Sequence, residues 1–222
     1  MDIYMKKYIE VLENTSLFKG IAKDEILTML DCLCTVNKKY QKNSTIINME
    51  DKISSVGVVL SGNIQIIKED HMGNSSILTN LKESDIFLET FVCANIGKSP
   101  VRVMAITDSE ILFIDYNKII NTCSSACIFH TILIENMLRE IAFKNISLNT
   151  KMEIISKRSI REKITAYLEY EGRMSKDAFK IPFTRNELAD YLCVDRSALS
   201  RELCKMRDEG LIDFNKNRFQ WK

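Results

Sequence analysis

Three kinds of hydrophobic periodicity follow one another along the chain. Residues 1–15 place apolar side chains at Ile3, Tyr4, Tyr8, Ile9, Val11 and Leu12, the spacing of a short helix, and Thr15–Leu30 continues as a second helical stretch broken at Gly20. From Lys39 to Tyr116 the period shortens to that of strands. Ser44–Met49, Val56–Leu60, Asn63–Lys68, Ser76–Leu81, Val101–Ala105 and Ile111–Ile114 are each rich in Val, Ile or Leu. Turn residues such as Ser61-Gly62-Asn63 and His71-Met72-Gly73-Asn74 divide them. Short strands at this spacing predict a β-sandwich or barrel. After Asn117 the chain turns helical again.

There the pattern is sharper than ordinary amphipathicity. Ile134, Leu138, Ile141, Asn145, Leu148, Met152 and Ile155 succeed one another in alternating steps of 4 and 3 residues. Ile134, Ile141, Leu148 and Ile155 fall at d positions of a heptad repeat, and Leu138, Asn145 and Met152 at a positions. A single Asn among apolar a residues sets two-strandedness and register at some cost in stability, so the stripe predicts a parallel dimer. The same stripe would also suit a helix lying on its own domain with Asn145 solvated. The pattern stops at Ser156–Ser159, where Ser159 and Glu162 have the spacing of a capping box opening a helix to Glu171.

The last forty residues carry the most specific pattern. Thr184 and Glu187 form another capping box, ahead of a helix with Leu188, Ala189 and Leu192 on its inner face. Cys193-Val194-Asp195 is a short turn in which Asp195 can cap the next helix. That helix keeps Ala198, Leu199, Leu203 and Met206 inward and stops at Gly210. Leu211–Phe214 and Arg218–Trp221, joined by Asn215-Lys216-Asn217, make a hairpin, so the whole reads as a winged helix-turn-helix. Arg196, Ser197, Ser200 and Arg201 lie outward at the start of the second helix, where such folds read base edges. Arg can bond guanine bidentately there, worth roughly 1–3 kcal/mol of discrimination. Lys205, Arg207, Lys216 and Arg218 are placed for phosphates, which anchor without reading sequence.

Composition alters this picture little. With 45% hydrophobic and 27% charged residues the chain is an ordinary globular protein, and no apolar run approaches the roughly 20 residues of a membrane helix. Its first residues are unlike a secretory signal, so a cytoplasmic protein without membrane partners is expected. Net charge is +1 overall but +4 in residues 157–222, compatible with a phosphate-facing surface. The seven cysteines form no C-x-x-C spacing, and no metal site is expected; they are read as small buried residues or bystanders. The sequence holds no Gly-rich phosphate loop, nucleophile elbow or matched acid–base pair, so it is not read as an enzyme.

Taken in order, these segments resemble the Crp/Fnr family of bacterial regulators, from about residue 16 to the C-terminus. The likeness is strongest in LADYLCVDRSALSRELCKMRDEGLI, with its R-S-x-x-S-R helix start, and is clear in VGVVLSGNIQIIKEDHMGNSSIL and MAITDSEILFIDYNKI. It implies an α+β chain: an N-terminal double-stranded β-helix (β-roll) sensor domain over 1–116, a dimerisation helix region over 117–156, and a winged helix-turn-helix over 157–222. It also implies a homodimer on an inverted repeat of double-stranded DNA, with RNA polymerase as a further partner of activating members. Arg196 and Arg201 would be the main base readers, assisted by Ser197 and Ser200, with Thr184 and Arg185 on the DNA backbone.

In cyclic-AMP-binding members of the family, a Gly-Glu pair holds the ribose and an Arg-Ser pair the phosphate. Here Glu89 stands at the ribose position, but Leu88 replaces the glycine, and Ser99 and Pro100 replace Arg-Ser. Lys98 and Arg102 are the nearby cations, and Arg102 would share a face with Pro100 only in a regular strand. No tight cyclic-AMP binding is expected, and no cofactor. Another small molecule could use the cavity near Glu89 and residues 137–148. An iron–sulfur mode lacks its N-terminal cysteines, since none precedes Cys32. Haem would need His71 or His130, both expected to be exposed or capping residues, and thiol sensing through Cys93 or Cys123/Cys127 stays open. A ligand-binding module without DNA recognition would leave Arg196–Arg201 and the basic hairpin without purpose.

Overall fold

The computed structural model describes residues 5–69, 75–121, 128–172 and 177–222, and the chain divides into two compact units, Met1–Phe143 and Lys144–Lys222. In the first unit a 3-10 turn (Met5–Tyr8) leads into α1 (Ile9–Asn14), and a second (Ser16–Phe18) precedes α2 (Lys23–Cys32). Gly20, at φ +83°, makes the break between them. Six strands follow: β1 (Val36–Tyr40), β2 (Thr45–Ile47), β3 (Ser55–Ser61), β4 (Asn63–Glu69), β5 (Ser75–Lys82) and β6 (Ile86–Phe87). Then come α3 (Glu89–Cys93), β7 (Arg102–Ala105), β8 (Ser109–Asp115) and α4 (Tyr116–Ile120).

The strands form two four-stranded antiparallel sheets, in the orders β1-β8-β3-β6 and β2-β7-β4-β5. β3 reads as an unbroken apolar run because it is covered on both faces, whereas the edge strand β5 is exposed along most of its length. Gly57 in β3 sits under Phe87, where a Cβ would lie 2.3 Å from the ring, and Phe87 meets Phe113 edge-on at 6.3 Å between centroids. Two strands escape the hydrophobic pattern. β1, VNKKY, is a sheet edge whose polar and lysine side chains mask its period, and β6 has two residues, too few to show one. The turn at residues 71–74, with His71, lies outside the described residues, as do Ile3, Tyr4, Cys123 and Cys127.

The long helix, α5, runs Ile128–Ile155, and the division between the compact units falls within it. Its first turns dock on the roll through Leu133 and Met137, both buried. The buried Asn136 amide donates to the Leu17 and Lys19 carbonyls at 3.0 and 2.8 Å, tying α5 to the N-terminal segment. His130 is neither exposed nor a cap: it is 2% exposed within α5, because the helix turns that position inward with Leu133 and Met137.

The second unit contains α6 (Ile160–Gly172), β9 (Phe179–Lys180), α7 (Arg185–Leu192), α8 (Arg196–Asp208), β10 (Ile212–Asn215) and β11 (Arg218–Trp221). The Glu162 carboxylate accepts from the Arg158 and Ser159 amides at 3.1 and 3.0 Å, and the Ser159 hydroxyl accepts from the Glu162 amide, starting α6. Tyr167, Leu188, Leu192, Leu199, Leu203, Met206 and Phe219 form its core. The wing has a third strand, β9, pairing with β11 through two residues, too short to register as a period. Among the described residues no helix is long and apolar enough to cross a membrane.

Candidate nucleic-acid interface and sensor cavity

The helix-turn-helix is held by its caps. The Thr184 hydroxyl accepts from the Glu187 amide at 3.4 Å while the Glu187 carboxylate accepts from the Thr184 amide at 2.7 Å. These bonds hold the Glu187 carboxyl below its usual range. α7 ends at Cys193 in the left-handed region (φ +52°), which turns the chain sharply toward α8. Asp195 caps α8, accepting from the Ser197 hydroxyl at 2.5 Å and the Ala198 amide at 2.9 Å, and its carboxyl is likewise lowered, chiefly by Ser197.

α8 buries Leu199, Leu203 and Met206 and presents Ser197, Arg201, Cys204 and Lys205 along its opposite, exposed face. Arg196 is exposed at the first helical position, and Ser200 is half-buried at the flank. Arg201 folds back so that its Nε donates to the Ser197 carbonyl at 3.4 Å. Cys204 joins that face, as its spacing of seven from Ser197 and three from Arg201 requires.

The other basic residues read from the sequence as DNA contacts divide. Lys205, Lys216 and Arg218 are exposed, Lys216 at the hairpin tip with φ +54°. Thr184 is exposed but spends its hydroxyl on the cap. Arg185 is instead tucked beneath the wing: its guanidinium lies 5.0 Å from the Phe214 ring and 5.5 Å from Phe219, and Nη2 donates to the Lys216 carbonyl at 3.2 Å. Burial lowers its pKa, and this placement makes it a clamp between α7 and the hairpin. Arg207 stacks on Phe214 at 5.2 Å. Arg161 adds a strut: Nε donates to Glu202 at 2.5 Å, and Nη1 and Nη2 to Glu209 at 2.7 and 3.0 Å, fastening α8 to α6. No local spacing in the sequence could have shown a pairing between residues 41 and 48 positions apart.

In the roll, Leu88 takes the left-handed conformation (φ +68°) at the N-cap of α3 and is buried. Glu89 is buried beside it and accepts from the Thr90 hydroxyl at 3.1 Å. Ser99 is fully buried and donates to the Val101 carbonyl at 2.7 Å. Pro100 and Val101 are not in a strand, β7 beginning only at Arg102, so Arg102 is not brought to the face of Pro100 by regular pleating. Arg102 is held bidentately by Glu69 at 2.9 and 3.0 Å, and Lys98 pairs with Glu50 at 3.0 Å. The Met137 end of the 137–148 stretch reaches this region: Met137 Sδ lies 3.5 Å from Cys93 Sγ at the end of α3. Burial raises the Cys93 thiol. The five cysteines among the described residues are not buried: Cys32, Cys34, Cys193 and Cys204 are exposed and Cys93 is half-buried, since each falls at a helix end or outer face or beside α5. Among the described residues no three His, Cys, Asp or Glu side chains gather as a metal site.

A double-sheet roll, a long helix and a capped, winged helix-turn-helix in this order define a two-domain regulator of transcription. Residues 37–126 match the family described as the cyclic nucleotide-binding domain, and residues 162–221 match the Crp-like helix-turn-helix domain. The chain belongs to the Crp/Fnr family and is a Crp-like transcription regulator with a helix-turn-helix DNA-binding domain. It is 22% identical to the cAMP-activated global transcriptional regulator CRP of Haemophilus influenzae, covering 92% of this chain and 91% of that one. Its fold is similar to Thermus thermophilus Catabolite Activator Protein (TM-score 0.55, 19% identity, 94% of each chain covered). It is also similar to the c-di-GMP responsive global regulator CLP of Xanthomonas campestris (TM-score 0.56, 14% identity, 87% of this chain and 97% of that one).

Proposed function

We propose that the protein acts as a parallel homodimer in the cytoplasm that reads an inverted repeat of double-stranded DNA. The observation that carries this reading is the exposed face of α8, with Arg196, Ser197 and Arg201 toward its capped end, Lys205 in its last turn, and the exposed basic tip of the wing in the same unit. Half-sites then lie about one helical turn, roughly 10 bp, apart. Dimerisation is supported by the seam of α5: in the single chain Leu138, Leu148 and Met152 are 63%, 65% and 61% exposed, apolar surface that a second copy of the helix would cover. The sensor, dimerisation and DNA-binding segments are assigned to 1–116, 117–156 and 157–222. The effector is not cyclic AMP, because Lys98 and Arg102 already face carboxylates and Ser99 is turned onto its own backbone, so a buried phosphate has no ready partner.

In vitro selection from a random DNA pool, with purified full-length protein and near-physiological salt, tests the reading. Enrichment of a palindrome with half-sites one turn apart is expected. Enrichment of a single unrepeated site refutes the dimer. A pool that stays unenriched, also with residues 157–222 fused to a constitutive dimerising helix, refutes DNA reading by α8.

A further inference from the structure

Of the residues at the family's cyclic-nucleotide cassette positions, Leu88, Glu89, Ser99 and Pro100, only Leu88 borders a second opening in the roll. A cavity of about 240 Å³ lies on the β1–β2 side. It shares Leu88 with the cassette but is not lined by Glu89, Ser99 or Arg102. Its walls are apolar, with Ile53, Leu88 and Phe113 among them, and its polar groups include Lys38, Lys52 and the Tyr40 phenol. Among the described residues no Asp or Glu lines it. The Lys38 ammonium lies 5.7 Å from the centre of the Phe113 ring, which holds a cation at the edge of an aromatic wall. Two lysines beside apolar side chains, with no Asp or Glu among the described lining residues, suit an anion that carries a hydrophobic body. The volume falls below the roughly 300–1,000 Å³ of drug-sized ligand sites, so that body is small.

We infer that this cavity binds a small amphipathic organic carboxylate, its acid group on Lys38 and Lys52 and its apolar part against Phe113 and Leu88. This rests on the reading of the chain as an effector-controlled regulator and names the effector's class. The position of Leu88 supplies the route to the rest of the unit. Its buried side chain lines the cavity while its backbone caps α3, and the last residue of α3, Cys93, touches Met137 of α5. An occupant that presses on Leu88 therefore bears on the helix that carries the seam.

Calorimetry on the full-length protein with benzoate as the probe, and benzamide as its uncharged counterpart, tests the site. Saturable binding of one benzoate per chain is expected. Affinity should fall about tenfold or more, ~1.4 kcal/mol, for benzamide and for the Lys38→Glu/Lys52→Glu variant. Arg102→Ala should bind benzoate like the parent. Absence of saturable benzoate binding overturns the inference, as does equal binding of benzamide or affinity unmoved by the double charge reversal. Loss of binding in Arg102→Ala alone overturns it by moving the site to the cassette. Far-UV circular dichroism checks that each variant folds. DNA selection without probe is scored separately: a protein that selects its palindrome but ignores benzoate fails only here, and one that selects nothing fails as a regulator.

Discussion

Two arginines in the DNA-binding unit show how little residue type alone decides. Arg185 and Arg201 both fit a nucleic-acid face by sequence, yet Arg185 stacks between α7 and the wing aromatics while Arg201 lies on the open face of α8. The difference follows from Phe214 and Phe219, which are close to Arg185 only after the hairpin folds back. Arg201→Ala should therefore relax selectivity at one base position, losing roughly 1–3 kcal/mol of discrimination in competition binding. Lys205→Ala should weaken all sequences alike and reduce the salt slope of binding by about one. If the Lys205 variant changes base preference while the Arg201 variant does not, the assignment of reader and anchor is reversed.

At the scale of elements, capping is the feature most directly legible in the chain. Ser159 with Glu162, Thr184 with Glu187, and Asp195 all cap the helices their spacing announces, because each cap is a contact within a few residues. Backbone and side-chain donors lower all three carboxyl groups in the folded protein. A group depressed on folding contributes stability that is present above its unfolded pKa, near 4 for these residues, and is lost as pH falls through its folded value. The Glu187→Gln/Asp195→Asn variant should thus lose less stability on acidification below about pH 5 than the parent, the gap between them narrowing. Urea unfolding followed by the fluorescence of Trp221, the single tryptophan, reads this in the second unit. Parallel pH profiles for the two proteins would contradict it. β1 and β6 show the opposite case: an edge strand rich in lysine and a strand of two residues have no period to read and exist through their partners β8 and β3.

For the whole molecule the decisive question is what covers the seam of α5. Leu148→Asp should give monomers at micromolar concentration in sedimentation velocity and abolish tight binding to a palindrome while leaving the roll folded. Asn145→Leu should strengthen association but admit species larger than dimers, since an apolar residue no longer specifies two strands. A Leu148→Asp protein that remains dimeric would place the interface elsewhere.

The order of domains, the heptad stripe and the helix-turn-helix were determined by local periodicity and capping, interactions that close within a turn or two and so are written in neighbouring residues. The clamp of Arg185, the Arg161 strut, the pairing of Arg102 with Glu69 and the lysine-lined cavity were decided only in three dimensions. Each joins side chains tens of residues apart, and whether a charge faces solvent, a ring or a carboxylate depends on which strands and helices become neighbours.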